Sequence, residues 1–338
     1  MSTTKHSFPM QWLDARSSGP FAPLALSYTR DILLDPGLGD RRLAVGTTLL
    51  GLPAGLGIAS LAVEGGDSWV ESLAVSRMFE GRGIATALLQ TLEAALRERG
   101  CTAIHMTYTT GSRTAPALER VLEKCGWPPG QVSRLLFKAR CPEGTDNWAQ
   151  RDYTLPPDVA LFNWAELTER EVAAVLEQTQ RDPRYEGAMI NPARTMEPLN
   201  SLGIRYGGEI AGWIHVRRAA PDTLVYDNFW LRRDMRRAGR MGVGMKLLAE
   251  SIRRQLGADI PWTYWATAPD NRHMLRLVHA YLDPYVVAIR EVRRAGKQLD
   301  GEHAGQGEEA LAEIRVRKSH STPQQVNRRT VAGNHPTG

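Results

Sequence analysis

Two stretches of this 338-residue chain join a strand-like segment to a helix-like one through glycine and arginine. The first runs Val75-Ser-Arg77-Met-Phe-Glu80-Gly81-Arg82-Gly83-Ile84-Ala85 and leads into Leu88-Leu89. The second begins Leu231-Arg232-Arg233, passes Arg236 and Arg237, reaches Gly239-Arg240-Met-Gly242-Val243-Gly244 and leads into Leu247-Leu248. Glycine lets backbone come close to a ligand, and the first amides of a helix have no partner within it. With the positive end of the helix dipole, such a turn can seat a phosphate, and arginine adds a bidentate grip on the same group. The same residues would also make a plain tight connection between strand and helix. One turn alone does not decide between these readings; two in similar settings favour the phosphate.

The flanking sequence predicts the elements that would hold these turns. Apolar runs at 43–49 and 56–63 and a strand at 68–75 are separated by turns at 51–55 and at Gly65-Gly66-Asp67. Ile84, Leu88, Leu89, Leu92 and Leu96 recur at helical spacing over 84–99, and Gly100 closes that helix. A strand at 103–109 and a helix at 114–125 follow. The second half repeats the order: a strand at 158–163, then a helix at 167–178 headed by Thr168 and Glu171 in capping-box spacing. A hairpin pairs 202–206 with 209–217 around Gly207-Gly208, before a strand at 224–231, a helix at 245–256, a strand at 262–267 and a helix at 271–282. The repeat predicts an α/β protein of two tandem domains, 1–140 and 155–295, with a polar linker at 141–154 and a disordered tail at 296–338. Each domain is expected to hold a mostly antiparallel central sheet flanked by helices.

Composition narrows the function classes. With 42% hydrophobic and 23% charged residues, each half can bury a sizeable core. No apolar run reaches the roughly 18 residues of a membrane span, and the N-terminus lacks the pattern of a secretory signal. The three cysteines, Cys101, Cys125 and Cys141, have spacings of neither a zinc site nor a disulfide set, so a reducing, cytoplasmic location is expected. The net charge of +5 gathers partly at the glycine turns, and no recognition motif accompanies it, so neither nucleic acid nor a membrane is expected as a partner. No metal-ligand cluster and no Gly-x-Ser-x-Gly nucleophile elbow is evident.

The first turn follows a strand meander, lacks a Walker lysine and belongs to no dinucleotide fingerprint. Its Glu80-x-x-Gly83-x-Ala85 pattern resembles the pyrophosphate-binding motif of the GNAT acetyltransferase superfamily, Arg/Gln-x-x-Gly-x-Gly/Ala, with Glu80 as the departure. Gly242 and Gly244 repeat the glycine spacing in the second half. The layout is similar to tandem members of that superfamily, over roughly residues 20 to 290.

The resemblance implies acetyl-CoA as cosubstrate and no metal. Its pyrophosphate would rest on Arg77, Gly81, Arg82, Gly83, Ile84 and Ala85, or on Gly239, Arg240, Gly242, Val243 and Gly244. The strand before each turn would splay from its neighbour to admit the pantetheine arm. An amide near Leu73 and Val75, or near Trp230 and Leu231, would then stabilise the oxyanion of the transfer. Glu71 lies four residues before Val75, on the same face by the period of two, and Asp227 lies four before Leu231. Each is read as the base that takes the amine's proton; the other reading is a carboxylate that only positions a cationic substrate or makes a surface pair. Asn271 matches an asparagine that bonds the CoA arm in the family. Leu122 and Val278 stand where the family has an acid tyrosine; Tyr281, one helical turn on, is the candidate substitute, with packing as its other reading.

The expected function is transfer of an acetyl group from acetyl-CoA to a primary amine of a small molecule or peptide, by direct attack in a ternary complex, in a monomer or homodimer. The alternative is a catalytically degenerate acyl-CoA-binding regulator or scaffold. A nucleic-acid-associated protein and an amino-acid transferase using charged tRNA are the remoter rivals.

Overall fold

Short apolar runs form most strands of this chain, several of them buried on both faces, as over Arg42–Leu49 and Leu52–Ser60. The computed structural model describes residues 8–35, 38–39, 41–61, 67–143, 147–183, 196–236 and 241–299. The expectations for Gly65, Gly66, Arg237, Gly239 and Arg240, and for the chain from residue 300 on, fall outside the described residues. Chain contacts define two units, Met1–His105 with Gly296–Gly338, and Met106–Ala295. Among the described residues no helix is long and apolar enough to cross a membrane.

The first unit holds β1 (Met10–Trp12), α1 (Ser27–Leu33), β2 (Arg42–Leu49), β3 (Leu52–Ser60), β4 (Ser68–Val75), α2 (Ile84–Glu98) and the start of β5 (Ala103–Thr109). β1 to β4 pair in chain order, antiparallel throughout. The turn expected at 51–55 is shorter: Leu49 pairs with Leu52, leaving Leu50 and Gly51 as a two-residue loop with φ of 53° and 74°. Two successive positive φ values match the twist of the flanking strands, so residues 52–55 are already strand. α2 buries Ile84, Leu88, Leu89, Leu92 and Leu96 against the sheet, each worth roughly 1.5–3 kcal/mol. Phe21, Leu33, Ala44, Leu56 and Ile58 form a separate core cluster with α1.

The second unit holds α3 (Ala115–Lys124), β6 (Gln131–Arg140), β7 (Val159–Asn163), α4 (Glu169–Arg181), β8 (Leu202–Tyr206) and β9 (Glu209–Ala220). It continues with β10 (Thr223–Leu231), α5 (Met241–Gly257), β11 (Trp262–Thr267), α6 (Arg272–Leu277) and β12 (Val286–Gln298), whose last residues return to the first unit. Its strands neighbour one another in the order β12-β6-β11-β10-β9-β8-β7. β10 and β11 run parallel; the other pairs are antiparallel. β6 and β12 have no counterpart among the expected elements. β12 reaches Gln298, three residues into the stretch expected to be a tail.

α4 starts at the capping box read from Thr168 and Glu171: the Thr168 hydroxyl accepts from the Glu171 amide at 3.3 Å, and the Glu171 carboxylate accepts from the Thr168 amide at 2.9 Å. Val243, Leu247, Leu248 and Ile252 of α5 share a core with Phe137, Ile204, Ile214, Val216 and Trp265. Trp148, within the stretch read as a linker, is buried in that same core. A second cluster gathers Trp164, Val175, Trp213 and Trp230.

Candidate functional site

In the first unit the glycine turn is built from backbone. A single 3-10 turn, Arg77–Phe79, anchored by buried Phe79, leads out of β4. Gly81 and Gly83 follow with φ of 77° and 88°, and Gly83 is the N-cap of α2 with no side chain capping the helix. A Cβ added at either glycine would meet nothing within 4 Å, so the turn is open on its outer side. Arg77 and Arg82 are exposed beside it, the Arg82 guanidinium 5.7 Å from the centre of the Phe79 ring. Uncapped amides, a helix dipole and two exposed arginines fit a pyrophosphate. Ile84 is buried and Ala85 half-buried, so only their amides are available to such a ligand.

The backbone of β4 is also oriented. The Ser76 amide donates to Ala54 of β3 at 2.9 Å. By the alternation of an antiparallel ladder, the amides of Leu73 and Val75 therefore point away from β3. Glu71 departs from the period-two expectation. Ser72 pairs with Ile58 and Val70 with Ala59, which leaves Glu71 as the extra residue of a β-bulge and breaks the count of faces between it and Val75. Its carboxylate accepts from Arg42 Nε at 3.1 and 3.3 Å.

The second unit repeats this arrangement. Tyr226 pairs with Val216 and Asn228 with His215, so Asp227 is the extra residue of a bulge in β10. Its Oδ2 lies 2.8 Å from Arg217 Nε, in an ion pair whose N–H is not aimed along the contact. The parallel ladder joins Thr223 to Trp262 through Tyr226 to Trp265 and stops there. Past that point the Arg232 amide donates to Ala211 of β9 at 2.8 Å, so the amides of Phe229 and Leu231 turn away from β9, toward the side where the ladder has ended.

α5 begins against this strand end. A Cβ on Gly244 would stand 2.8 Å from Leu231 Cδ1, so glycine there permits the close approach. Gly242 has nothing within 4 Å of such an atom, and Val243 points into the core. Arg232 needs a different reading from the phosphate grip considered above. It is 2% exposed and paired with Glu209 at 2.7 Å and Asp234 at 2.8 Å, so it clamps the turn from inside.

Asn271 caps α6, its Oδ1 accepting from the Met274 amide at 3.1 Å. The Tyr281 ring packs 5.7 Å from that of Trp148. His215 was not singled out by its sequence position. It is buried opposite Asn228, its Nε2 without a hydrogen-bond partner and its ring 4.6 Å from that of Trp164. Burial pushes its pKa down to about 4. Among the described residues no group of three or more His, Cys, Asp or Glu could hold a metal ion.

Residues 12–127 match the acetyltransferase (GNAT) family model. A tandem GNAT protein from the clavulanic acid biosynthesis pathway superposes with a TM-score of 0.62 at 14% identity, over 87% of this chain and all of that one. A GCN5-related N-acetyltransferase from Sphaerobacter thermophilus gives 0.53 at 14% identity, over 87% and 98% of the two chains. A probable N-acyltransferase from Enterococcus faecalis V583 gives 0.53 at 12% identity, over 87% and 73%. Comparison with curated protein sequences found no match. Residues 12–127 are thus similar to the acetyltransferase (GNAT) family, and the chain shares the fold of a tandem GNAT protein.

Proposed function

We propose that this chain is an N-acetyltransferase that moves an acetyl group from acetyl-CoA to a primary amine of a small molecule or peptide. The observation that carries the reading is the end of the β10–β11 ladder. There β10 carries a carboxylate on a bulge and two amides turned from β9, and its end lies against the glycine-bearing start of α5. The first unit adds the open glycine turn at the start of α2, which lies within the family match over residues 12–127.

Acetyl-CoA supplies the acyl thioester. Gly81, Arg82 and Gly83 hold its pyrophosphate in this reading. The amides of Leu73 and Val75, or of Phe229 and Leu231, bond the acyl oxygen as charge grows on it. Glu71 or Asp227 takes the proton from the amine as its nitrogen bonds to the acyl carbon and the carbon–sulfur bond breaks. The departing thiolate takes a proton from solvent, because Leu122 and Val278 offer none. Three free cysteines, all buried, suit the cytoplasm, where we place this activity.

A second reading, an acyl-CoA-binding protein without turnover, is favoured by Tyr281 being packed on Trp148. Titration calorimetry of acetyl-CoA into the wild type, Gly83→Glu and Gly242→Glu separates the possibilities. Loss of binding in one variant assigns the cofactor to that half. Binding with no thiol release over a panel of primary amines would favour the second reading. A wild type that binds no acyl-CoA ends both.

A further inference from the structure

β6 and β12 bring an unusual set of side chains to one face of the second unit. Trp262 and Tyr264 of β11 pair directly with Arg140 and Lys138 of β6, so all four side chains share a face. The Lys138 ammonium lies 4.2 Å from the centre of the Trp262 ring and 5.7 Å from that of Tyr264. Arg290 of β12 is opposite Leu136, two residues from Lys138, and Arg134 lies two residues beyond Leu136. By the period of two, Arg134, Lys138, Arg140 and Arg290 project on this same side. Arg134, Arg140 and Arg290 are exposed; Lys138, Trp262 and Tyr264 are half-buried.

Arg140 has a carboxylate neighbour, Glu143 at 3.2 Å. Among the described residues no ion pair involves Lys138, Arg134 or Arg290. Three cations on one face beside two aromatic rings suit an anionic ligand with a flat or apolar body. Val225 of β10 pairs with both Tyr264 and Arg217, which extends this face to Arg217 and to the Asp227 carboxylate it holds. From β10 across β11 to β6 is two strand spacings, about 10 Å.

We propose that this face selects the acceptor: a primary amine placed at Asp227, separated by about 10 Å from a carboxylate or phosphate that Lys138, Arg134 and Arg290 bind, with the body between lying over Trp262 and Tyr264. The acceptor role rests on the transferase reading above; the anion site does not.

The test compares 3-[4-(aminomethyl)phenyl]propanoate with its neutral primary amide, by calorimetry and by thiol release from acetyl-CoA. The acid should bind the wild type about tenfold more tightly than the amide, a charge-assisted hydrogen bond's worth. That preference should fall close to unity in Lys138→Gln and in Arg290→Gln, with thermal melts confirming that each variant folds. Equal affinity for acid and amide, or a preference that survives both substitutions, overturns the anion site. Tight acid binding with no acetylation keeps the anion site and removes the acceptor role. A ten-nucleotide oligouridylate that binds where the acid does not would replace the proposal with a nucleic-acid surface.

Discussion

Asp227 Oδ2 lies 2.8 Å from Arg217 Nε, on the residue that bulges out of β10 just where that strand stops pairing with β11. Glu71 and Arg42 repeat the relationship at the bulge of β4, at 3.1 Å. A bulge adds a residue and re-aims its side chain, and in both halves the re-aimed side chain is a carboxylate held by an arginine. Loss of a general base typically costs 10²–10⁴-fold in rate. Asp227→Asn or Glu71→Gln, whichever belongs to the working half, should lower kcat about 100-fold with KM little changed. The other should leave turnover within a few-fold of wild type. Steady-state thiol release with a responsive amine reads both.

Gly242 and Gly244 share a helix start but not a task. A Cβ on Gly244 would press on Leu231 Cδ1 at 2.8 Å, whereas one on Gly242 meets nothing within 4 Å. Gly244→Ala should therefore destabilise the fold by about 1–3 kcal/mol through overpacking. Gly242→Ala should be neutral or stabilise by up to about 1 kcal/mol. Urea unfolding of the two variants checks the contrast; equal effects would contradict it.

His215 makes stability depend on pH. Burial depresses its folded pKa from 6.5 to about 4, so the unfolded chain binds the extra proton first as pH falls. The contribution is in place above about pH 6.5 and is lost between there and about pH 4. Between pH 7 and pH 5 the wild type should lose about 2 kcal/mol more than His215→Phe, on the usual 1.36 kcal/mol per pKa unit. Urea titrations of both proteins at the two pH values measure this, and parallel losses would exclude His215 as the cause.

The end of β12 is held within the first unit by polar contacts. Lys297 Nζ donates to the buried Glu93 carboxylate at 2.6 Å, Arg97 Nε donates to the Leu299 carbonyl at 2.8 Å, and the Leu299 amide donates to Thr102 at 2.7 Å. Lys297→Met should cost about 1.5–3 kcal/mol, the range for a hydrogen bond to a charged group. A chain ended after residue 295 should lose all three contacts and unfold at lower temperature. Calorimetric melting of both variants is the check, and an unchanged Tm for the shortened chain would contradict it.

Sequence alone determined the local features. The strands over Ser68–Val75, Ala103–Thr109 and Trp262–Thr267 follow from short apolar runs, and α2 follows from leucines at helical spacing closed by Gly100. The capping box at Thr168 and the paired glycine turns are likewise contained within a few residues. β6 and β12 were not legible, because arginine and lysine occupy the open face of each and obscure the apolar alternation. Their hydrogen-bond partners also lie more than a hundred residues away, as Phe137 with Ile289 and Trp265 shows. The two bulges were hidden for the same reason: an extra residue in one strand exists only relative to its partner, so no count along β4 or β10 could reveal that Glu71 and Asp227 leave the alternation. Arg232 makes the point with one side chain. Its place in a basic run suggested a phosphate grip, and only the packing of Glu209 and Asp234 around it turned that charge inward, since a buried guanidinium must be paired where water is excluded.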